Sequence, residues 1–332
     1  MRTGLLLGKF MPLHLGHRAL IRFAAERCDR LCVWLCVSPS EPISGAWRCM
    51  WLEAELEAFP HAELRYVEYS EQEYPNTSVS DQAVSAKWAE MIRRLWPDFS
   101  GPEHVVFSSE PYGAYLAENL DAACETFDIE RRQIPISASM IRSAPYKYWE
   151  LLPEPVRLFW VDSVCLVGTE STGKTTLTKH LAEQFDSPWI SEAGRDIVGH
   201  TEECRWEDLL HIAEAHARSI LDALKNPCRR LFVDTDVTIT QSYARYLFDR
   251  PLEVSAWIRA ANRFKLYLFC DRDAPYVQDG TRLPPVERDH LHESHLQSFG
   301  KAHIPLQFIT GDSWEERRNS AIRQVVQAYP SW

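Results

Sequence analysis

The stretch "GTESTGKT", residues 168–175, fits the pattern G-x-x-x-x-G-K-[ST] without a mismatch. The apolar run "SVCLV" precedes it and "KTTLTKHLAEQF", patterned as a helix, follows it. Strand, glycine turn and helix in that order form a P-loop, in which backbone N–H groups curl round a β-phosphate and the helix N-terminus adds a favourable field. Lys174 is then expected to bring charge to the β and γ oxygens, and Thr175 to offer its hydroxyl to Mg²⁺. Gly168, Ser171, Thr172, Gly173 and Thr176 complete the expected ATP-binding set.

The same strand–helix alternation runs through the rest of the chain. In the first half, residues 3–8, 30–38, 64–69 and 104–109 read as strands. Val84, Trp88, Met91, Ile92 and Leu95 recur at helical spacing, opened by Ser80-Asp81 and stopped at Pro97. The passage at 144–160 carries prolines at 145, 153 and 155, which disfavour a continuous helix. Later strands are expected at 161–168, 188–194, 229–236, 265–271 and 304–311. Alternation of this kind means a parallel sheet with helices on both faces. A chain of 332 residues suits two domains of roughly 100–200 residues each. The expectation is two tandem doubly wound α/β domains, 1–155 and 156–332.

Charge narrows the partners. With 36 basic against 47 acidic residues, a net charge of −11 argues against a surface built to track nucleic-acid phosphates. The longest apolar runs, such as "LCVWLCV" at 31–37, fall far short of the ~20 residues a bilayer span needs. At the N-terminus, Lys9 and Pro12 cut the apolar run short and no small-residue cleavage site follows, so a first strand is expected there and not a signal peptide. Nine cysteines, an odd number without CxxC pairs, fit a reduced, cytoplasmic protein.

Downstream of the P-loop, "LFVDTD" ends in Asp234 and Asp236. A carboxylate at a neighbouring strand's end is what such a site needs for Mg²⁺ or to take a proton from an attacking hydroxyl, so both are catalytic candidates, Asp234 with Thr175 for the metal. Glu192 and Arg195, in "ISEAGRD", are expected to face the same crevice and hold substrate. The polar, proline-rich segment 271–290 is expected to be a lid, whose Arg282 and Arg288 close over the γ-phosphate. His290, His292 and His295, just beyond, read as a polar helix face. A lid on so short a half-chain favours a small-molecule kinase over a motor or switch.

"GKFMPLHLGH", residues 8–17, poses a second question. Its two histidines lack further ligands at metal-site spacing, and a strand-to-helix turn is normally a surface feature. Packed core histidines are possible there, and the third reading is a nucleotide site. Gly8 and Gly16 allow close backbone approach, the next helix aims its N-terminus at an anion, and His14 and His17 donate to phosphate oxygens.

Here the chain resembles a known group. G-x-F-x-P-x-H-x-G-H is the signature of the α/β-phosphodiesterase-like nucleotidylyltransferases, and Gly8, Phe10, Pro12, His14, Gly16 and His17 all match it. Their second motif, I-S-x-[ST]-x-[IV]-R, is present as "ISASMIR" at 136–142. A nucleotidylyltransferase followed by a P-loop kinase resembles the NadR family, which joins nicotinamide mononucleotide (NMN) adenylyltransferase to ribosylnicotinamide kinase. The likeness extends to "VVFSSEPYGAYLAENLDA" (105–122), "YKYWELLPEPVR" (146–157), "FVDTD" and "DAPYVQDGTR". The helix-turn-helix that some members carry at the N-terminus is expected to be missing.

The resemblance implies that ATP lies on the histidines, on the helix start at Ser137 and Ser139, and on Arg142, with Mg²⁺ bridging phosphates. NMN would attack the α-phosphorus, giving NAD and pyrophosphate, and Ser108, Ser109, Glu110 and Tyr112 are candidates for holding it. In the second domain, nicotinamide riboside (NR) would take the γ-phosphate of ATP. Two rivals stand beside this: the same reactions on other substrates, or one domain serving as a nucleotide sensor for the other. Homo-oligomerisation stays open.

Overall fold

A computed structural model describes residues 1–75, 81–198, 204–273 and 284–331, without the side chains of Arg195, Asp196 and Pro285. It divides into two compact units, Met1–Val156 and Arg157–Trp332. Among the described residues no helix is long and apolar enough to cross a membrane.

Unit 1 holds strands β1 (Thr3–Gly8), β2 (Arg30–Val37), β3 (Ala62–Glu68), β4 (Gly101–Ser108) and β5 (Ala122–Thr126), all parallel and ordered β3-β2-β1-β4-β5. Its helices are α1 (Leu15–Ala25), α2 (Gly45–Leu56), α3 (Gln82–Leu95), α4 (Tyr112–Asn119) and α5 (Ala138–Ser143). β1 and β2 are buried almost throughout, which is why they read as continuous apolar runs. α3 starts where Asp81 accepts from the Ala83 and Val84 amides, and it packs Trp88, Met91 and Ile92 against Trp34 and Phe99. Ser80 of its expected start lies outside the described residues. From β1 the chain builds outward to β3, then returns to β4 on β1's other side. The loops after β1 and β4 therefore flank a topological switch point, where folds of this kind open a crevice.

A short helix, α6 (Glu154–Arg157), flanked by two 3₁₀ turns, crosses the junction. Unit 2 holds β6 (Asp162–Val167), β7 (Trp189–Ile190), β8 (Arg230–Asp234), β9 (Leu266–Cys270) and β10 (Gln307–Ile309), parallel and ordered β10-β9-β6-β8-β7. Its helices are α7 (Lys174–Gln184), α8 (Gly194–Ile197), α9 (Trp206–Ala223), α10 (Val237–Phe248), α11 (Ala256–Ala261), α12 (Pro285–Lys301) and α13 (Trp314–Ala328). The fold class expected from the alternation holds: two tandem doubly wound α/β units.

Three strands differ from expectation. β5, which carries no apolar alternation, was not foreseen; it exists because β4 offers an edge to pair with. The strand expected at 188–194 shrinks to β7, since Gly194 already opens α8. That expected at 304–311 keeps only Gln307–Ile309. Sheet ends stop where a neighbouring strand stops pairing, and local sequence does not report this.

Candidate active sites

In unit 1, a cavity of about 520 Å³ opens over the carboxyl ends of β1 and β4. The motif loop after β1 forms one wall. His14 caps α1, its Nδ1 accepting from the His17 amide at 3.3 Å. With Nδ1 so occupied, the neutral ring carries its proton on Nε2 and can donate there. The two imidazoles stack, centroids 3.7 Å apart, and Phe10 meets His17 edge-on at 5.0 Å. Burial holds both rings neutral: His14 is pushed well below the ordinary range, further so by His17 and Arg131, and His17 falls to about 3. Gly16 has a steric reason to be glycine, because a Cβ there would sit 3.1 Å from the His14 ring.

The other wall comes from α5 and the loop after β4. The Ser137 hydroxyl caps α5 on the Met140 amide and bonds the Ser139 hydroxyl at 2.9 Å. Arg142, one turn on, donates Nη1 to the Met11 carbonyl and so ties the two motifs together. Gly8, Ser109 and Glu110 also line the cavity, as do Ser108 and Tyr112.

In unit 2, the P-loop leaves β6 with Gly168 at φ +136° and Gly173 at +80°. A side chain at Gly168 would meet the Cys270 carbonyl at 2.6 Å, so only glycine fits the turn. Thr172 Oγ1 and Lys174 Nζ both donate to the Thr169 carbonyl, at 2.7 and 2.9 Å, holding the ammonium at the loop. Thr175 Oγ1 donates to Asp234 Oδ2 at 2.5 Å, a charge-assisted bond. Thr175 and Asp234 are hard oxygen donors, the chemistry that would suit Mg²⁺. Thr176 is exposed on the first turn of α7, and Ser171 stands in the left-handed region at φ +59°. Glu192 follows β7 on the same carboxyl edge of the sheet.

A family profile described as "AAA domain" matches residues 163–317. The NAD biosynthesis/regulator protein NadR of Salmonella typhimurium is 30% identical over 306 residues, covering 84% of this chain and 71% of its own. The chain belongs to the NadR family. The Escherichia coli NadR is 28% identical over 301 residues, again covering 84% and 71%. A crystal structure of a NadR protein in complex with NR aligns over 100% of this chain and 97% of that one, with 20% identity and a TM-score of 0.49.

Several expected site residues of this NadR chain have other employment. Asp236 is the N-cap of α10: its carboxylate takes the Thr238 and Ile239 amides and the Thr238 hydroxyl, so its oxygens are spent within the helix start. Burial pushes its carboxyl up to about 7 against those bonds. The Ser108 hydroxyl closes the turn onto residue 110, and the Tyr112 hydroxyl donates to the Leu7 carbonyl, so both shape the wall and neither aims a polar group from it. Arg288 belongs to α12 and not to a lid loop; buried, it donates Nε to the Glu170 carbonyl of the P-loop. His292 and His295 are not a polar face. Both are buried, His292 on the Thr169 hydroxyl and His295 on that of Ser242. Arg282 and the Arg195 side chain lie outside the described residues.

Sequence reasoning missed three arginines in this NadR chain. Arg48 of α2, wholly buried, pairs with Glu41 at 2.6 Å and donates to the Lys9 carbonyl at 2.9 Å, bracing the motif loop. Lys9 in turn bridges Glu41 and Glu71; burial works against its charge, but bonds to Tyr69 and the two glutamates outweigh it and raise its pKa. Arg317 of α13 pairs with Asp273 and donates to the Thr172 and Asp271 carbonyls beneath the P-loop. Arg131 lines the unit 1 cavity beside Glu110. A lone arginine carries no local signal, whereas the histidines and the P-loop lysine stand in fixed patterns.

Proposed function

We propose that the chain makes NAD in two steps. Unit 2 phosphorylates nicotinamide riboside with ATP, and unit 1 joins the resulting NMN to the adenylyl group of a second ATP, releasing pyrophosphate. What supports this reading is a chain of the NadR family with the histidine motif at the carboxyl end of one sheet and the P-loop at that of the other.

In unit 1 the NMN phosphate oxygen attacks the α-phosphorus of ATP while the bond to the β-phosphate oxygen breaks. No covalent enzyme intermediate is required, so the protein contributes position and charge. Neutral His14 and His17 each keep one ring N–H to donate, so neither needs a second proton for the task. Ser137, Ser139 and Arg142 meet the phosphates from the opposite wall.

In unit 2 the riboside 5′-hydroxyl attacks the γ-phosphorus and ADP leaves. Lys174 follows the transferring charge, and the P-loop amides hold the β-phosphate. Thr175 and Asp234 would hold Mg²⁺, which would supply charge neutralisation at the phosphates. With Asp236 committed to its cap and Asp234 at Thr175, Glu192 is the one of the three carboxylates expected from sequence that would orient the attacking hydroxyl.

Two lesions test this in the full chain. His14→Ala with His17→Ala should still consume riboside but accumulate NMN, because losing one such donor costs ~10²–10³ in rate in other enzymes. Lys174→Ala should convert supplied NMN to NAD and leave riboside untouched. If wild-type protein turns over neither nicotinamide compound, the substrates are others. If one reaction is missing, or one lesion abolishes both, a sensing role for one unit is the better account.

A further inference from the structure

Counting charge around the unit 1 cavity exposes an imbalance. A nucleotide triphosphate and a phosphomonoester bring several negative charges, yet the two histidines are held neutral by burial. The cations lining the cavity are Lys9, Arg131 and Arg142. Lys9 lies 3.0 Å from each of two carboxylates, Glu41 and Glu71, and Arg142 is drawn to the Met11 carbonyl. Arg131 differs: among the described residues its one ion pair is with Glu110, at 3.3 Å, and the two side chains stay 43% and 33% exposed. A guanidinium has five N–H donors in a planar fork, so most remain for an anion.

The loop that carries Arg131 is built for the purpose. Arg131 and Asp128 stand in the left-handed region, at φ +51° and +47°, where non-glycine residues are uncommon. Asp128 holds that shape: its carbonyl takes the Arg131 amide at 2.8 Å, and its carboxylate takes the amides of Arg132, Gln133 and Ile134 at 2.8 to 3.1 Å. Two residues past Ile134, Ile136 and Ser137 begin the second motif, so one clamp sets both Arg131 and the α5 cap.

We propose that Arg131 is a phosphate-binding residue of unit 1 that grips the β- and γ-phosphates of ATP and the departing pyrophosphate, with Glu110 as its counter-ion in the free protein. Asp128 is the positioning residue that aims it. This rests on the adenylyl-transfer reading of unit 1. Glu110, whose carboxyl burial raises, surrenders the guanidinium to the stronger anion and thereby leaves the phosphate path.

Steady-state NAD synthesis by the full chain tests this, with riboside phosphorylation in the same protein as the control for folding. Arg131→Met should raise KM for ATP and weaken inhibition by inorganic pyrophosphate about tenfold or more, the usual weight of a charged hydrogen bond. KM for NMN should stay within about threefold, and Arg131→Lys should recover part of the loss. Asp128→Asn should shift the same two constants in the same direction, by less. An unchanged ATP KM and pyrophosphate inhibition in Arg131→Met, or a change confined to NMN, overturns the proposal. Should wild-type protein make no NAD from NMN, the adenylyl-transfer reading fails by itself. Arg131 is then judged by calorimetry with inorganic pyrophosphate on the Lys174→Ala chain, with and without Arg131→Met: loss of binding upholds the residue's role, and equal or absent binding in both refutes it.

Discussion

Residue by residue, the two aspartates of "VDTD" separate by what their oxygens touch. Asp234 meets Thr175 at the P-loop, whereas Asp236 spends its carboxylate on the first turn of α10. Asparagine caps a helix about as well as aspartate, so Asp236→Asn should phosphorylate riboside within about threefold of wild type. Asp234→Asn should lose about a hundredfold, as expected where a group serves transition-state charge. Equal losses in both would return Asp236 to the catalytic set. Stability should follow pH through the same residue. The folded Asp236 carboxyl is raised from 3.8 to about 7, so the folded chain binds the extra proton and stability falls as pH rises from 4 towards 7. That slope in urea-unfolding free energy should shrink in Asp236→Asn; an identical slope in the two proteins would mean the aspartate is ionised throughout.

At the scale of elements, α12 and α13 brace the P-loop from behind. Arg288 and His292 on α12 reach Glu170 and Thr169, and Arg317 on α13 reaches Thr172. α13 itself is set by a capping box, with Ser313 and Glu316 exchanging side-chain bonds for backbone amides. Arg317 is buried but its partner Asp273 is not, so the tie counts as hydrogen bonds to a charged group, worth ~1.5–3 kcal/mol. Arg317→Met should therefore lower the unfolding free energy of unit 2 by an amount of that order, and Arg317→Lys should recover little of it, because an ammonium lacks the fork that spans Asp273 and two carbonyls. NAD synthesis from NMN should persist at temperatures where riboside phosphorylation has gone. A loss under ~1 kcal/mol, the worth of an exposed pair, would show that the tie is not structural.

For the molecule as a whole, each unit closes its own core. In unit 1 Trp34, Trp88 and Phe99 pack between the sheet and α3. In unit 2 Leu166, Phe232 and Leu268 pack under α7 and α13, and Ala213, Val237 and Ile258 join α9, α10 and α11. Arg157 belongs with unit 2, where its buried guanidinium donates to the Leu224 carbonyl at 3.1 Å. Fragments 1–156 and 157–332 should each unfold in one cooperative step, the first making NAD from NMN and the second NMN from riboside. A second fragment begun at 158 should be the less stable. If either fragment stays insoluble until the other is added, the units share what holds them folded.

Local sequence by itself determined much of this protein. The P-loop, the histidine motif, the second motif and the strand–helix alternation depend on residues within a few positions of one another, whose spacing states their geometry. That is why the α/β class was legible, and why Lys174, His14 and Arg142 could be put forward as site candidates. Tertiary structure decided the rest. The Arg48, Arg131 and Arg317 contacts span 39, 21 and 145 residues, and an arginine in a helix or loop looks the same in sequence whether solvated or clamped. His295 is buried because α12 packs on α10, and His292 because it meets Thr169 and Phe269, contacts that no spacing along α12 encodes. A short-range pattern can name the groups that meet phosphate, but how those groups are charged, oriented and braced depends on neighbours that only folding brings within reach.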